Sequence, residues 1–200
     1  GVDPKRISVI ENLPARAAPS PSQVRRAKDD ALVVGFFGQV NPWKGLDLLI
    51  EAVGLVRERG LEVQLEVNGA EQPEGETNPG VQFNGSYEPH QLAERMARVD
   101  VVAMASSWYE NSPMVIQEAF LHGRPVVAPR LGGMAEKIRD GQTGLLVQPG
   151  SATAMAEVML RLVDQPELLK QLQQGVQRSL LRRADPQLGH ALFYRRLMNC

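Results

Sequence analysis

Val99-Asp-Val-Val-Ala-Met104, a polar loop to Asn111, Ser112-Pro-Met-Val-Ile-Gln-Glu-Ala-Phe-Leu-His122, and then Pro125-Val-Val127 form the stretch that decides the fold. A short apolar run, a loop, a helical segment and a second short apolar run are the pattern of two parallel strands joined by a crossover helix. Ser112 suits a helix N-cap and Pro113 the first helical position, so the helix is predicted to begin there. His122 and Gly123 read as its end, with an imidazolium favourable to the dipole and glycine in the left-handed position.

The same stretch carries the chemistry. The amides from Asn111 to Val115, including those of Ser112 and Met114, are predicted to point out of the helix start at the positive end of its dipole, a setting that favours phosphate. Glu110 lies in the loop before the helix. Glu118 lies inside it, roughly 9 Å along the axis, and its side chain leans back toward the opening because Cβ atoms tilt toward the N-terminus. A carboxylate beside a bound anion repels it unless it accepts hydroxyl hydrogen bonds. The fitting ligand is a diphosphate flanked by two hydroxyl-rich groups, which describes a nucleotide sugar.

Outward from this unit, apolar runs continue to alternate with helical patterns, as in an α/β fold with a parallel sheet covered on both faces. Strands are predicted at Ile7–Ile10, Ala31–Phe37, Leu61–Val67, Val81–Phe83, Val99–Met104, Pro125–Val127 and Leu145–Val147. Helices are predicted at Lys44–Gly60, with Leu46, Leu49, Ile50, Val53 and Val56 on one face, and at His90–Arg98, Ser112–His122 and Met134–Arg139. Ala152–Val163, Pro166–Leu181 and Leu188–Met198 complete a helical C-terminal region over 152–200. Pro14 to Asp30 reads as a surface excursion and Gly69 to Gly80 as a polar loop. In an open parallel sheet ligands sit beyond the carboxyl ends of the strands, so the loops after Phe37, Phe83, Met104 and Ala128 are predicted to share one rim.

Composition narrows the function classes. Two hundred residues with 43% hydrophobic content suffice for one packed domain, and a formal charge of −1 argues against general nucleic-acid affinity. The one cysteine, Cys200, has no internal partner. No apolar run approaches the roughly 18 residues of a bilayer span, and no secretory leader pattern opens the chain. The chain reads as soluble and cytoplasmic, with any peripheral membrane contact belonging to a domain outside it.

Six stretches together resemble the C-terminal, donor-binding domain of a family 4 glycosyltransferase of the GT-B fold, a retaining type that uses nucleotide-diphosphate sugars. They are Ile7-Ser-Val-Ile-Glu-Asn-Leu-Pro14, Gly38-Gln-Val-Asn-Pro-Trp-Lys44-Gly45, Glu110 with Glu118, His122-Gly-Arg-Pro-Val-Val127, Gly132-Gly133, and Asp140-Gly-Gln-Thr-Gly-Leu-Leu-Val147. The resemblance implies a Rossmann-like donor domain over residues 1–200, an inter-domain segment at 1–14, and an N-terminal acceptor domain outside this chain. It implies an acceptor glycan or lipid-linked sugar, no cofactor and no essential divalent metal. It also implies that the domain alone is inactive.

By the same resemblance Lys44 contacts the diphosphate, Glu118 the ribose hydroxyls and Glu110 the transferred sugar. Lys44 and Glu110 are the candidates for a direct part in the reaction. The donor site further takes in Gly38, Gln39, Asn111, Ser112, Pro113, Met114, Val115, Arg130, Gly132 and Gly133. Gln39 stands where the family usually carries arginine and supplies no charge. Arg130 is either its substitute or an ordinary surface arginine. Gly132 and Gly133, read as preceding a short helix, let backbone approach the ligand, or form a plain turn. Tyr87 is either a nucleobase stacking partner or a half-buried surface residue, and Trp43 and Trp108 line the cleft or cover the core. His90 and His190 lack ligand spacing for zinc. A nucleotide-sugar epimerase half and a non-catalytic nucleotide-sugar module remain as alternatives on the same fold, while the missing Gly-x-Gly-x-x-Gly after Phe37 disfavours a dehydrogenase.

Overall fold

The computed structural model describes residues 31–75 and 78–181. The predicted strand Ile7–Ile10, the inter-domain segment 1–14, the excursion Pro14–Asp30 and the helix Leu188–Met198 lie outside the described residues.

Six strands, β1 Leu32–Phe37, β2 Val63–Asn68, β3 Val81–Phe83, β4 Val101–Ala103, β5 Val126–Pro129 and β6 Gly144–Val147, form one sheet in the order β3-β2-β1-β4-β5-β6. Every pairing is parallel. β1, β4 and β5 are apolar almost throughout because both faces of the sheet are covered, which removes the alternation of a one-sided strand, whereas β2 alternates, with Gln64, Glu66 and Asn68 between Val63, Leu65 and Val67. β3, at an edge, is short and partly exposed, so it offers little backbone to a foreign strand.

Among the described residues six helices cover the sheet: α1 Leu46–Arg57, α2 Leu92–Arg98, α3 Met114–Leu121, α4 Gly132–Lys137, α5 Ala152–Asp164 and α6 Pro166–Leu181. Leu46, Leu49, Val53 and Val56 of α1 pack with Met155, Met159 and Leu162 of α5 on one face. Ile116, Ala119 and Phe120 of α3 pack with Met96 of α2, Met134 of α4 and Val176 of α6 on the other. α6 serves both layers, with Leu169 and Leu172 in the first core and Val176 in the second. Among the described residues no helix is long and apolar enough to cross a membrane.

Strand order reverses between β1 and β4, the two central strands. α1, after β1, goes to one face, and α3, after β4, goes to the other, so the loops that precede them part at the carboxyl edge. That opening is the place where ligands bind in sheets of this kind. All six strands run the same way, so the loops after Phe37, Phe83, Met104 and Ala128 do share that edge.

Several predicted boundaries move. The helix predicted from Lys44 begins at Leu46, after a separate 3-10 turn at Pro42–Lys44. Another 3-10 turn, Pro89–Gln91, takes the first residues of the helix predicted from His90. The helix predicted from Ser112 begins at Met114: the Pro113 carbonyl accepts the Ile116 amide at 3.3 Å, and no side chain caps it. Ser112 is therefore not the N-cap and Pro113 is not the first helical residue. The cap is fixed by which carbonyl closes the first turn, and a fixed proline φ with extended ψ (−65°, 111°) serves that position. Gly132 and Gly133 are the first residues of α4 and do not precede it.

Candidate functional site

The Lys44 loop is shaped by Asn41 and Gly45. The Asn41 side-chain oxygen accepts the Trp43 and Lys44 amides, each at 3.1 Å, closing the 3-10 turn. Gly45 ends it at φ +65°, so close to the next loop that a Cβ would stand 2.3 Å from the Ala105 carbonyl oxygen. The backbone of this loop consequently rests directly on the loop after β4, and the Ser107 amide donates to the Trp43 carbonyl at 3.0 Å. Lys44 closes the 3-10 turn and does not sit in the first turn of α1.

This docking brings Lys44 and Glu110, 66 positions apart in sequence, into an ion pair with Nζ 2.5 Å from Oε1. The side chains are 34% and 20% exposed, sheltered yet open to a ligand from the cleft. Buried Ser106 donates its hydroxyl to the same Glu110 oxygen at 3.2 Å. From the other side the Gly133 amide donates to the Glu110 carbonyl at 2.8 Å, an approach that a Cβ on Gly133 would block at 2.6 Å. Glu110 is thus fixed through both its main chain and its side chain.

The start of α3 opens beside this pair. Its first amides, those of Met114 and Val115, have no acceptor within the helix. One turn on, Glu118 is half-buried, and desolvation raises its carboxyl above the ordinary range. It faces Tyr87, whose phenol is pushed up by burial first and by the Glu118 charge second, against the opposing effect of Arg95. Tyr87 meets the Phe37 ring edge-on at 6.2 Å between centroids, so it tethers the loop after β3 to the end of β1. Tyr87 is a half-buried ring at the rim.

The loop that carries Tyr87 is held by a residue the sequence reading did not single out. Arg95 of α2 donates to the Asn84, Gly85 and Ser86 carbonyls at 2.9, 3.1 and 3.0 Å and to Asn68 Oδ1 at 3.2 Å. Its guanidinium also lies 5.1 Å from the centre of the Tyr87 ring. Asn84 in turn donates to Glu66 and Asn68 at the end of β2, and burial, the dominant influence, raises the Glu66 carboxyl. The available signal was the alternation in β2, which places Glu66 and Asn68 on one face, polar groups that need partners when buried. Ser106 was equally missed; it continues a run of small buried residues after β4.

Other candidates fall outside this cluster. The Arg130 guanidinium pairs with Asp140 at 2.6 Å on the surface, matching the reading of an ordinary surface arginine. Gln39 is exposed on the loop after Gly38. Trp43 and Trp108 do not cover the core: they are 60% and 62% exposed and touch each other, with centroids 5.9 Å apart. The setting of His122 works against the imidazolium expected at the helix end. His122 is buried, and burial first and the Arg124 charge second lower its pKa.

With this geometry in hand, comparison with known proteins is decisive for the family. The sequence profile of the glycosyl transferases group 1 matches residues 31–165. The chain belongs to that family. This group 1 glycosyltransferase chain is 33% identical over 183 residues to a D-inositol 3-phosphate glycosyltransferase of Stackebrandtia nassauensis, covering 82% of the chain and 39% of that protein. It is 26% identical, with a TM-score of 0.71, to Anabaena Alr3699/HepE in a crystal structure with UDP and glucose, covering 85% of the chain and 49% of that one. It also superposes on the C-terminal domain of a group 1 protein (LpcC) from Francisella tularensis at TM-score 0.63 and 22% identity, covering 82% of the chain and 91% of that domain. The chain spans less than half the length of the first two relatives. Its parallel sheet with flanking helices is the fold of the C-terminal half of GT-B glycosyltransferases.

Proposed function

We propose that this domain binds a nucleotide-diphosphate sugar and presents its anomeric carbon for retaining transfer to an acceptor hydroxyl. The observation that carries the proposal is the Lys44–Glu110 pair, held where the strand order reverses and beside the open start of α3. A diphosphate needs compensating charge and amide donors, which Lys44, Met114 and Val115 supply. When the bond between the anomeric carbon and the phosphate oxygen breaks, negative charge grows on the leaving diphosphate. A cation already aimed at it lowers the barrier. The new bond forms between that carbon and the acceptor oxygen, whose proton passes to the departing diphosphate.

In this reading Glu110 orients the sugar, Glu118 accepts from the ribose hydroxyls, and the amides near Asn111 to Val115 hold phosphate. Pro113 sets the helix start, and Gly132 and Gly133 keep the opposite wall close. Gly38 and Gln39 line the entry from β1. Arg130 joins only if the ligand draws it from Asp140. The donor is the nucleotide partner, and the acceptor, a glycan or lipid-linked sugar, is bound largely by a domain outside the described residues. The isolated domain then binds donor without transferring it, and no divalent metal is required.

Uridine diphosphate is the first probe, since the Anabaena relative was crystallised with UDP and glucose. Thermal shift and calorimetry with UDP, GDP and ADP in EDTA test the proposal: one of them should raise the melting temperature, and Lys44→Ala should remove most of the rise. No shift with any of the three, or a strict need for a divalent cation, contradicts it.

A further inference from the structure

Among the described residues the exposed large hydrophobic side chains are Val40, Trp43, Trp108 and Tyr109. All four lie on two loops, those that supply Lys44 and Glu110. Exposed apolar groups scattered singly are ordinary, but a group gathered at one opening marks a contact site. The group is rigidly mounted: Asn41 closes the turn under Trp43, Ser107 is bonded to the Trp43 carbonyl, and Tyr109 packs along Gly132.

We propose that Trp43 and Trp108 form an aromatic platform for a pyranose ring of the acceptor. The proposal rests on the donor reading above and names the acceptor class. The two rings lie on the loops that carry the ion pair and are more open than it, 60% and 62% exposed against 34% and 20% for Lys44 and Glu110. A donor held by the pair fills the inner position, and whatever covers the rings lies against its reacting end. The occupant is a sugar by its chemistry. Three of the four side chains are aromatic with a polar tip, a form suited to a ligand with both C–H faces and hydroxyls. The rings are tilted by 56° and make a shallow angle, not a flat greasy face. Polar Gln39, Asn41 and Asn111 share the same two loops as hydrogen-bond partners for hydroxyls.

The sequence offers a direct reporter, because Trp43 and Trp108 are its two tryptophans. Indole emission of the chain, saturated with UDP, is followed while methyl glycosides and disaccharides of glucose, mannose and N-acetylglucosamine are added. At least one glycoside should shift or quench the emission. Trp43→Ala, with Trp108 left as reporter, should abolish the response, and Trp43→Phe should restore it. Both side chains are exposed, so folding should survive, and an unchanged melting temperature checks this. Emission that ignores every glycoside while UDP still stabilises the chain overturns the platform and leaves the donor site standing. A response to phosphatidylcholine vesicles, or to protein concentration alone, also overturns it, in favour of a lipid surface or a second copy. Absence of stabilisation by UDP, GDP and ADP alike defeats the donor reading itself.

Discussion

Lys44 and Glu110 neutralise each other in the free domain, so a diphosphate has to compete with Glu110 for the ammonium. Removing the lysine deletes the cation and should cost UDP about 1.5 to 3 kcal/mol, roughly tenfold to a hundredfold in affinity by calorimetry. Removing the carboxylate should leave UDP binding undiminished or slightly tighter, because Lys44 is released, while Glu110→Ala loses the extra affinity that the sugar ring adds. Glu118 gives a pH signature. Its folded pKa is raised by burial, so the stability linked to it is present below the unfolded value near 4.5 and lost as pH rises through the folded one. Glu118→Gln should therefore raise the melting temperature of the free domain at pH 7 and not at pH 4, while weakening UDP through the lost ribose hydrogen bonds. The individual site residues were legible to different degrees. Glu110, Glu118 and Lys44 stood in recognisable loops, but their pairing spans 66 positions and depends on how two loops dock. Ser106 and Arg95 act through contacts that spacing alone does not encode.

At the level of elements, the site depends on the loop after β1 resting on the loop after β4. Gly45→Ala places a Cβ into the Ala105 backbone at φ +65°. It should cost more than the roughly 1 to 2 kcal/mol of a left-handed alanine and should weaken UDP by parting Lys44 from Glu110. Gly54 is the contrast: it is exposed within α1, with ordinary φ and nothing within 4 Å of an added Cβ. Gly54→Ala should stabilise the domain by about 0.4 to 1 kcal/mol, with urea unfolding measuring both variants. The strands and most helices were legible because β1, β4 and β5 are continuous apolar runs between loops and β2 alternates apolar with polar residues. Helix starts were less so. Ser112-Pro113 looks like a cap and first residue, yet the turn closes on the Pro113 carbonyl, a choice made by packing of Pro113 and Ile116 into the domain and not by local preference.

For the whole molecule, the reversal of strand order between β1 and β4 places one opening at the carboxyl edge and concentrates there the charge pair, the α3 start and Glu118. Sequence alone located that edge, since the order of the stretches and the alternation of strand and helix admit few topologies. It did not reveal that the exposed aromatics gather at the same opening, because exposure is a property of the packed chain. Ligand linkage turns the proposed site into a property of the entire fold: at a hundredfold excess over the dissociation constant, a bound nucleotide adds about 2.7 kcal/mol to stability. The most direct test is the change in melting temperature that UDP, GDP or ADP induces, in EDTA, for the unmodified chain beside Lys44→Ala. A clear rise for the unmodified chain that is largely lost in the variant is the expected result; equal rises in both, or none in either, would contradict a nucleotide-sugar site built on Lys44 and the start of α3.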